Sequence, residues 1–269
     1  MPARNEEDNL RKAIPNLLDQ TVRPKRIFII NDGSTDKTEE ILNHFCFTRK
    51  GKVDFISLPY HKESYVRNSL LNYKMATVLN HAFEFKDLKK YDYLMQHSSD
   101  MLLPENYIER IIGIMENRPK LVVASGVVEG EDTLKSHVRG VGRLYKSSFW
   151  LKYIKRFPEN YTYESYPLYK ARSLGLEVES FKKVVIEAKR KTRTYKAQYG
   201  YAMRELGYFP PFAVARSLLG AFQTHKIELL ISYLFSPYRE VKDKDIQKWL
   251  RNRQIRRLFT EFRHRLRNL

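Results

Sequence analysis

Short runs of β-branched and apolar residues alternate along this chain with stretches whose apolar positions recur every three or four residues. Ile27-Phe28-Ile29-Ile30 is continuous and apolar, as a strand buried on both faces should be. Val53 to Leu58, Tyr91 to Gln96 and Leu121 to Val128 also read as strands. Between them lie helical patterns: Leu10, Ala13, Ile14, Leu17 and Leu18; then Ile41, Leu42 and Phe45; then Met75, Leu79, Ala82 and Phe83 within Tyr73 to Phe85; then Tyr107, Ile111, Ile114 and Met115. Such alternation predicts an α/β architecture, a mostly parallel sheet with helices on both faces. Asn5 is the expected cap of the first helix, with Glu6, Glu7 and Asp8 at its positive dipole end, and Ser34 or Thr35 that of the second. Pro104 suits the first turn of the helix after the third strand, whereas Pro15 inside the first helix should cost a backbone bond or kink it.

Beyond Gly130 the pattern loosens. Tyr163 to Leu174 reads as a helix stopped by Gly175, and Leu176 to Ile186 as a further strand. From about Lys196 only helical periodicity remains, broken at Gly207-Tyr208-Phe209-Pro210-Pro211. The predicted organisation is an α/β domain over residues 1–195, with a first half at 1–125 and a second at 126–195, followed by a basic α-helical extension over 196–269.

Composition narrows the class. The chain has 269 residues, 1 Cys and a formal net charge of +18. A single Cys46 excludes an intramolecular disulfide, the absence of CxxC or His/Cys clusters argues against structural zinc, and a reducing compartment fits best. No signal-peptide pattern opens the sequence. Phe212 to Phe235 is the longest mostly apolar stretch, but Arg216, His225, Lys226 and Glu228 interrupt it, so no transmembrane helix is expected. The positive charge calls for an anionic partner: nucleic acid, lipid head groups or a phosphorylated substrate.

Two segments point to a nucleotide crevice. Met1-Pro2-Ala3-Arg4-Asn5-Glu6-Glu7 precedes a helix, and the first strong strand ends in Asn31-Asp32-Gly33-Ser34-Thr35-Asp36. A carboxylate at the carboxyl end of a buried strand, followed by Gly and small hydroxyl residues, lies where open α/β sheets bind ligands. A fixed carboxylate accepts N–H bonds from a base, and a helix start offers backbone donors. Taken separately, the same residues also fit a plain strand-to-helix turn and a plain helix cap.

Together with Ser98-Ser99-Asp100 before Pro104, and Tyr163-Glu164-Ser165 before Lys170-Ala171-Arg172-Ser173-Leu174-Gly175, these segments stand in an order that resembles the family 2 glycosyltransferases, in an archaeal-like form with the basic extension. The resemblance spans roughly the first 175 residues and implies the GT-A fold and inverting transfer of a sugar from a nucleotide-diphospho-sugar to an acceptor hydroxyl. By that resemblance Ala3, Arg4, Asn5 and Glu6 would line the base and ribose pocket, and Asp32 would hydrogen-bond the base. Asp100 would bind Mg²⁺ or Mn²⁺ bridging the diphosphate. The family's usual first carboxylate of the metal motif is replaced by Ser98, which leaves water and the diphosphate to complete the ion's shell. His97 is a further candidate ligand, though a histidine there also fits hydrogen-bonded structure.

An inverting displacement needs a carboxylate to take the acceptor's proton. The family's usual base position holds Ser165, so Glu164 is the nearest candidate, with Glu159 as a substitute; Glu164 also fits a helix-start residue placed for the dipole. Lys74 and Arg67 fit surface solvation better than phosphate contact. Tyr161, Tyr163, Tyr166 and Tyr169 offer aromatic surface for a sugar, or for packing.

Ile246, Trp249, Leu250, Ile255, Leu258, Phe259, Phe262 and Leu266 recur at helical spacing among Lys248, Arg251, Arg253, Arg256, Arg257, Arg263, Arg265 and Arg267. A basic, partly apolar helix fits one lying on an anionic membrane, and equally a docked terminal helix with a solvated face. No helix-turn-helix, zinc-finger or RNP-like pattern supports nucleic-acid binding. The expectation is a cytoplasmic enzyme, peripheral on the inner membrane face, with a lipid-linked, glycan or protein acceptor. Ser98 and Ser165 keep an alternative open: a catalytically impaired nucleotide-sugar-binding module. The family also places an apolar strand directly before Pro2-Ala3-Arg4-Asn5-Glu6, so either the natural start lies upstream or the sheet closes differently.

Overall fold

A computed structural model describes residues 1–61, 73–84, 87–131, 138–189, 198–218, 226–236 and 243–266. Arg67 therefore lies outside the described residues. The chain divides into two compact units: Met1–Ser64 with Met75–Phe157 and Leu176–Thr192, and Tyr65–Lys74 with Pro158–Gly175 and Arg193–Leu269.

The first unit is α/β. It runs β1 (Pro2–Ala3), α1 (Glu7–Leu18), β2 (Ile27–Asp32), α2 (Thr38–Thr48), β3 (Val53–Leu58), α3 (Tyr73–Glu84, whose first residues fall in the other unit), β4 (Tyr93–Gln96), β5 (Met101–Leu102), α4 (Tyr107–Glu116), β6 (Leu121–Val128) and β7 (Arg143–Lys146). A short α5 (Ser147–Phe149) passes into a π-helical turn over Trp150–Ile154, and β8 (Glu177–Ala188) completes the unit. β1, β2 and β3 pair in parallel, with Ile30 opposite Pro2 and Ile56. The remaining strands lie in the order β4-β7-β6-β8-β5. There β6 and β8 are parallel, while β4–β7, β6–β7 and β5–β8 are antiparallel.

The continuous apolar runs are strands because both faces are covered, and all eight residues of β6 are buried. Leu10, Ile14 and Leu17 of α1, Ile41 and Leu42 of α2 and Ile111 and Met115 of α4 join Ile27, Ile29, Leu121 and Ala124 in one core. Tyr107 crosses that core: its hydroxyl donates to the Gly142 carbonyl at 2.7 Å and accepts from the Gly126 N–H at 2.7 Å. Burial pushes its ionisation well above the ordinary phenol range. Gly126 is required there, since a Cβ would lie 2.2 Å from the Val184 carbonyl oxygen.

The expected α/β class and the main helices and strands are present. The short β1 and β5 were not legible, because two residues carry no alternation to read, and β7 was missed as well. α1 contains Pro15 and still runs to Leu18. The Met1 amino group is buried, donates to the Phe28 carbonyl at 2.8 Å, and is held down to about 5 by loss of solvation.

The second unit is helical among the described residues: α6 (Tyr166–Ser173), α7 (Gln198–Glu205), α8 (Pro210–Leu218), α9 (Lys226–Leu234) and α10 (Lys244–Leu266). Gly175, at φ +73°, ends α6 region as expected of a left-handed stop. Met203, Ala213 and Tyr233 form one cluster. Leu206, Ile246 and Leu250 form another, with Tyr166, Tyr169, Tyr208 and Trp249 packed against it. No helix among the described residues is long and apolar enough to cross a membrane.

Candidate functional site

β1 and β2 end side by side, so their following loops share one edge of the sheet. Ala3 is buried opposite Asn31. Asn5 sits at φ +53°, one of the few residue types that tolerates that region. Its side chain does not cap α1; its Oδ1 accepts from the Thr35 N–H at 2.8 Å. The N-cap is Glu6, and the capping comes from the other loop. Ser34 Oγ accepts from the Asn5 N–H at 3.0 Å, Thr38 Oγ1 from the Glu6 N–H at 2.8 Å and Asp36 Oδ2 from the Glu7 N–H at 3.3 Å. Glu7 Oε2 returns a bond to the Lys37 N–H at 3.0 Å. The backbone donors expected to serve a ligand are thus spent on locking the two motifs together, and α2 begins at Thr38 rather than after Ser34 or Thr35.

Asp32 projects from the end of β2 with its side chain 6% exposed. His61 Nε2 lies 3.0 Å from its Oδ1, and Arg4 Nη1 lies 3.8 Å from Oδ2. Arg4 Nη1 also lies 2.9 Å from His61 Nδ1 and 6.0 Å separates its guanidinium from the Tyr60 ring centre. The same Nη1 lies 2.6 Å from His61 Nε2, and Arg4 Nη2 donates to the His61 carbonyl. Gly33, at φ +63°, turns the chain away beneath this group; a Cβ there would lie 2.8 Å from the Pro59 carbonyl oxygen and 2.8 Å from Tyr60 Cα.

Arg4, Asn5, Glu6 and Asp32, singled out in the sequence, therefore share one edge, and the structure adds His61. That residue was missed because nothing in Pro59-Tyr60-His61 marks it. The readable signal was its place just past β3, which runs parallel to β2 and so ends on the same side.

Asp100 stands in the turn between β4 and β5, in the same unit. Its carbonyl accepts from the Lys189 N–H at 3.0 Å and its Oδ1 from the Ser98 hydroxyl. Ser98 thus orients the carboxylate that remains. His97 is buried; Nε2 donates to the Met101 carbonyl at 3.1 Å, leaving the Nδ1 lone pair without a hydrogen-bond partner. Burial holds this imidazole down at about 4, so it is neutral. Asp100 is partly exposed and carries the carboxylate of this turn. Among the described residues, no group of three His, Cys, Asp or Glu side chains could hold a metal ion alone.

Glu164 belongs to the second unit, half-buried in the turn before α6. Tyr166 and Tyr169 pack against the Leu206 cluster and Tyr161 meets Tyr201 edge-on at 6.2 Å, so these aromatics serve packing.

The model of a family described as glycosyl transferase family 2 matches residues 1–184. No curated protein matches the chain. Among solved structures, the mannosyltransferase PcManGT from Pyrobaculum calidifontis, in complex with GDP-Man and Mn²⁺, is similar at TM-score 0.61 and 15% identity, over 87% of this chain and 71% of that one. TarS residues 1–349 from S. aureus gives TM-score 0.55 at 15% identity, over 87% and 68%. The same enzyme in complex with UDP-GlcNAc gives 0.54 at 14%, over 87% and 70%. At such identities the likeness establishes the fold, the GT-A arrangement of α/β elements.

Proposed function

This chain belongs to glycosyl transferase family 2, and on that premise we propose that it moves a sugar from a nucleotide-diphospho-sugar to an acceptor hydroxyl with inversion, working at the cytoplasmic face of a membrane. The observation that carries the reading is Asp32, a nearly buried carboxylate at the carboxyl ends of parallel strands, flanked by Arg4 and His61. Arg4 and His61 offer donors to the base's carbonyl groups or to phosphate, and Asp32 accepts a base N–H. The complexes of PcManGT with GDP-Man and of TarS with UDP-GlcNAc support a donor of this class.

Asp100 would hold Mg²⁺ or Mn²⁺, with oxygens of the diphosphate and water completing its shell. Such an ion neutralises charge on the departing nucleoside diphosphate. Ser98 keeps the Asp100 carboxylate oriented, and neutral His97 adds no competing positive charge. Glu164 would take the acceptor's proton, as the carboxylate next to Ser165, which stands at the family's usual base position. Release of nucleoside diphosphate from a panel of UDP-, GDP- and dTDP-sugars with Mn²⁺ tests the whole reading. Turnover with one of them, giving the opposite anomer, is expected. Binding without any turnover would favour the impaired module that Ser98 and Ser165 suggest.

Membrane contact is supported by the outer face of α10. Lys244, Lys248 and Arg251 line a groove of about 500 Å³ beside Phe209, over which the Arg251 guanidinium lies at 5.5 Å. At helical spacing the same face continues to Phe259, which is 64% exposed. Cations with an exposed aromatic suit an anionic lipid surface. We expect the protein to sediment with phosphatidylserine vesicles and not with phosphatidylcholine vesicles at fixed ionic strength. Reversing Lys244 and Lys248 to Glu should weaken that binding by about tenfold or more, at about 1 kcal/mol per lysine charge. Preference for competing duplex DNA would contradict the assignment.

A further inference from the structure

Two carboxylates from the C-terminal helices hold the chain on either side of Glu164. Glu205, the last residue of α7, is fully buried. Its Oε1 accepts from the Tyr161 N–H at 2.8 Å and its Oε2 from the Thr162 N–H at 2.7 Å. The Thr162 carbonyl in turn accepts from the Ser165 and Tyr166 N–H groups, each at 2.8 Å, which closes the turn containing Glu164. On the far side Asp243 caps α10 through the Ile246 N–H at 3.1 Å. The same carboxylate accepts from the Tyr166 hydroxyl at 3.0 Å and pairs with Lys170 at 3.0 Å, while Asp245 takes Lys170 at 2.7 Å.

A buried carboxylate is costly unless its bonds are met, and an apolar side chain would fill the same space at less cost. Glu205 meets that cost by fixing two successive peptide groups, an arrangement that sets the direction of the turn rather than merely filling space. We propose that Glu205 and Asp243 are positioning residues for the Glu164 turn, so that the C-terminal helices set the geometry of sugar transfer and take no part in nucleotide binding. The proposal rests on the reading of Glu164 as the base.

Glu205→Gln tests it in the full-length chain. A glutamine oxygen can accept one of the two N–H groups, but its NH₂ faces the other and must push the turn aside. Turnover of whichever UDP-, GDP- or dTDP-sugar the chain uses should fall by at least about tenfold, since misplacement by about an ångström can cost a hundredfold. The Kd for the matching nucleoside diphosphate should stay within about twofold, because the bonds described for Glu205 and Asp243 lie within the second unit, whereas Asp32 belongs to the first. Asp243→Asn should show the same split more weakly. Leu229→Ala, which loosens the separate cluster of Met203, Ala213 and Tyr233, should lower the melting temperature and leave turnover intact where the protein is folded. Unchanged turnover in Glu205→Gln, a parallel fall in turnover and nucleotide affinity, or an equal loss in Leu229→Ala would overturn the proposal. Full turnover in Glu164→Gln would instead show that the base has been misassigned.

Discussion

Asp100→Ala will abolish nearly all metal-dependent turnover, a loss of about a hundred- to a thousandfold, the range expected when a group that offsets developing charge is removed. The reason lies in the local architecture. Asp100 sits in a turn whose exit is fixed by β5 pairing with β8, Met101 opposite Ala188, and by its own carbonyl's bond to Lys189. Its carboxylate is oriented by Ser98. In a motif from which the other usual carboxylate is missing, no second acidic side chain in Ser98-Ser99-Asp100 can take over. Asp100→Asn should lose nearly as much, since the amide keeps the shape and a hydrogen bond but not the charge. Ser98→Ala should lose less, about tenfold, because it frees the carboxylate without removing it. Nucleoside diphosphate measured without metal should bind all of these variants as it binds the parent. The comparison is of kcat against nucleotide Kd, and full activity in Asp100→Ala would contradict a metal held by Asp100.

Gly33→Ala will disable the nucleotide side and destabilise the first unit together. At φ +63° an alanine costs about 1–2 kcal/mol. Its Cβ would also stand 2.8 Å from the Pro59 carbonyl oxygen and from Tyr60 Cα, backbone atoms that cannot rotate away. The turn or the Pro59-Tyr60-His61 segment must move, and His61 moves with it from Asp32. Gly51 provides the control: it has φ +76° and nothing within 4 Å of a built Cβ. Gly51→Ala should cost only the backbone term, with nucleotide affinity unchanged. Gly33→Ala should cost clearly more in chemical denaturation and weaken nucleotide binding by about tenfold or more. Equal effects of the two substitutions would mean that the close approach at Gly33 plays no part.

The elements that the sequence made legible share a physical feature. β2 and β6 are buried runs whose apolar continuity can be read without knowing their partners, and α1, α2 and α4 show their core faces as a period. β1 and β5, of 2 residues each, exist only through pairing with β2 and β8. Pairing across distant segments leaves no local trace. The site follows the same rule. Arg4, Asn5, Glu6 and Asp32 were found because motif order places them at strand ends. Their actual bonds were not legible: Asn5 turns to Thr35 instead of capping α1, and Ser34, Asp36 and Thr38 supply the caps from some thirty residues away. His61 and Glu205 act across 29 and 44 residues respectively, on Asp32 and Tyr161. A single histidine or glutamate in a helical or loop sequence gives no hint of such a partner.

On the proposed reading, the strand-end edge carrying Asp32, Arg4 and His61 is a nucleotide pocket. A thermal-shift titration with UDP, GDP and dTDP and their sugars, with and without Mn²⁺, tests it most directly, since a ligand that binds only the native state raises the melting temperature by mass action. At a hundred times Kd the gain is about 2.7 kcal/mol, a shift of a few degrees for a chain of this size. One base is expected to be preferred, Mn²⁺ to enlarge the shift, and Asp32→Ala to remove it while Glu205→Gln does not. No shift with any of these nucleotides, or an undiminished shift in Asp32→Ala, would contradict the proposed reading.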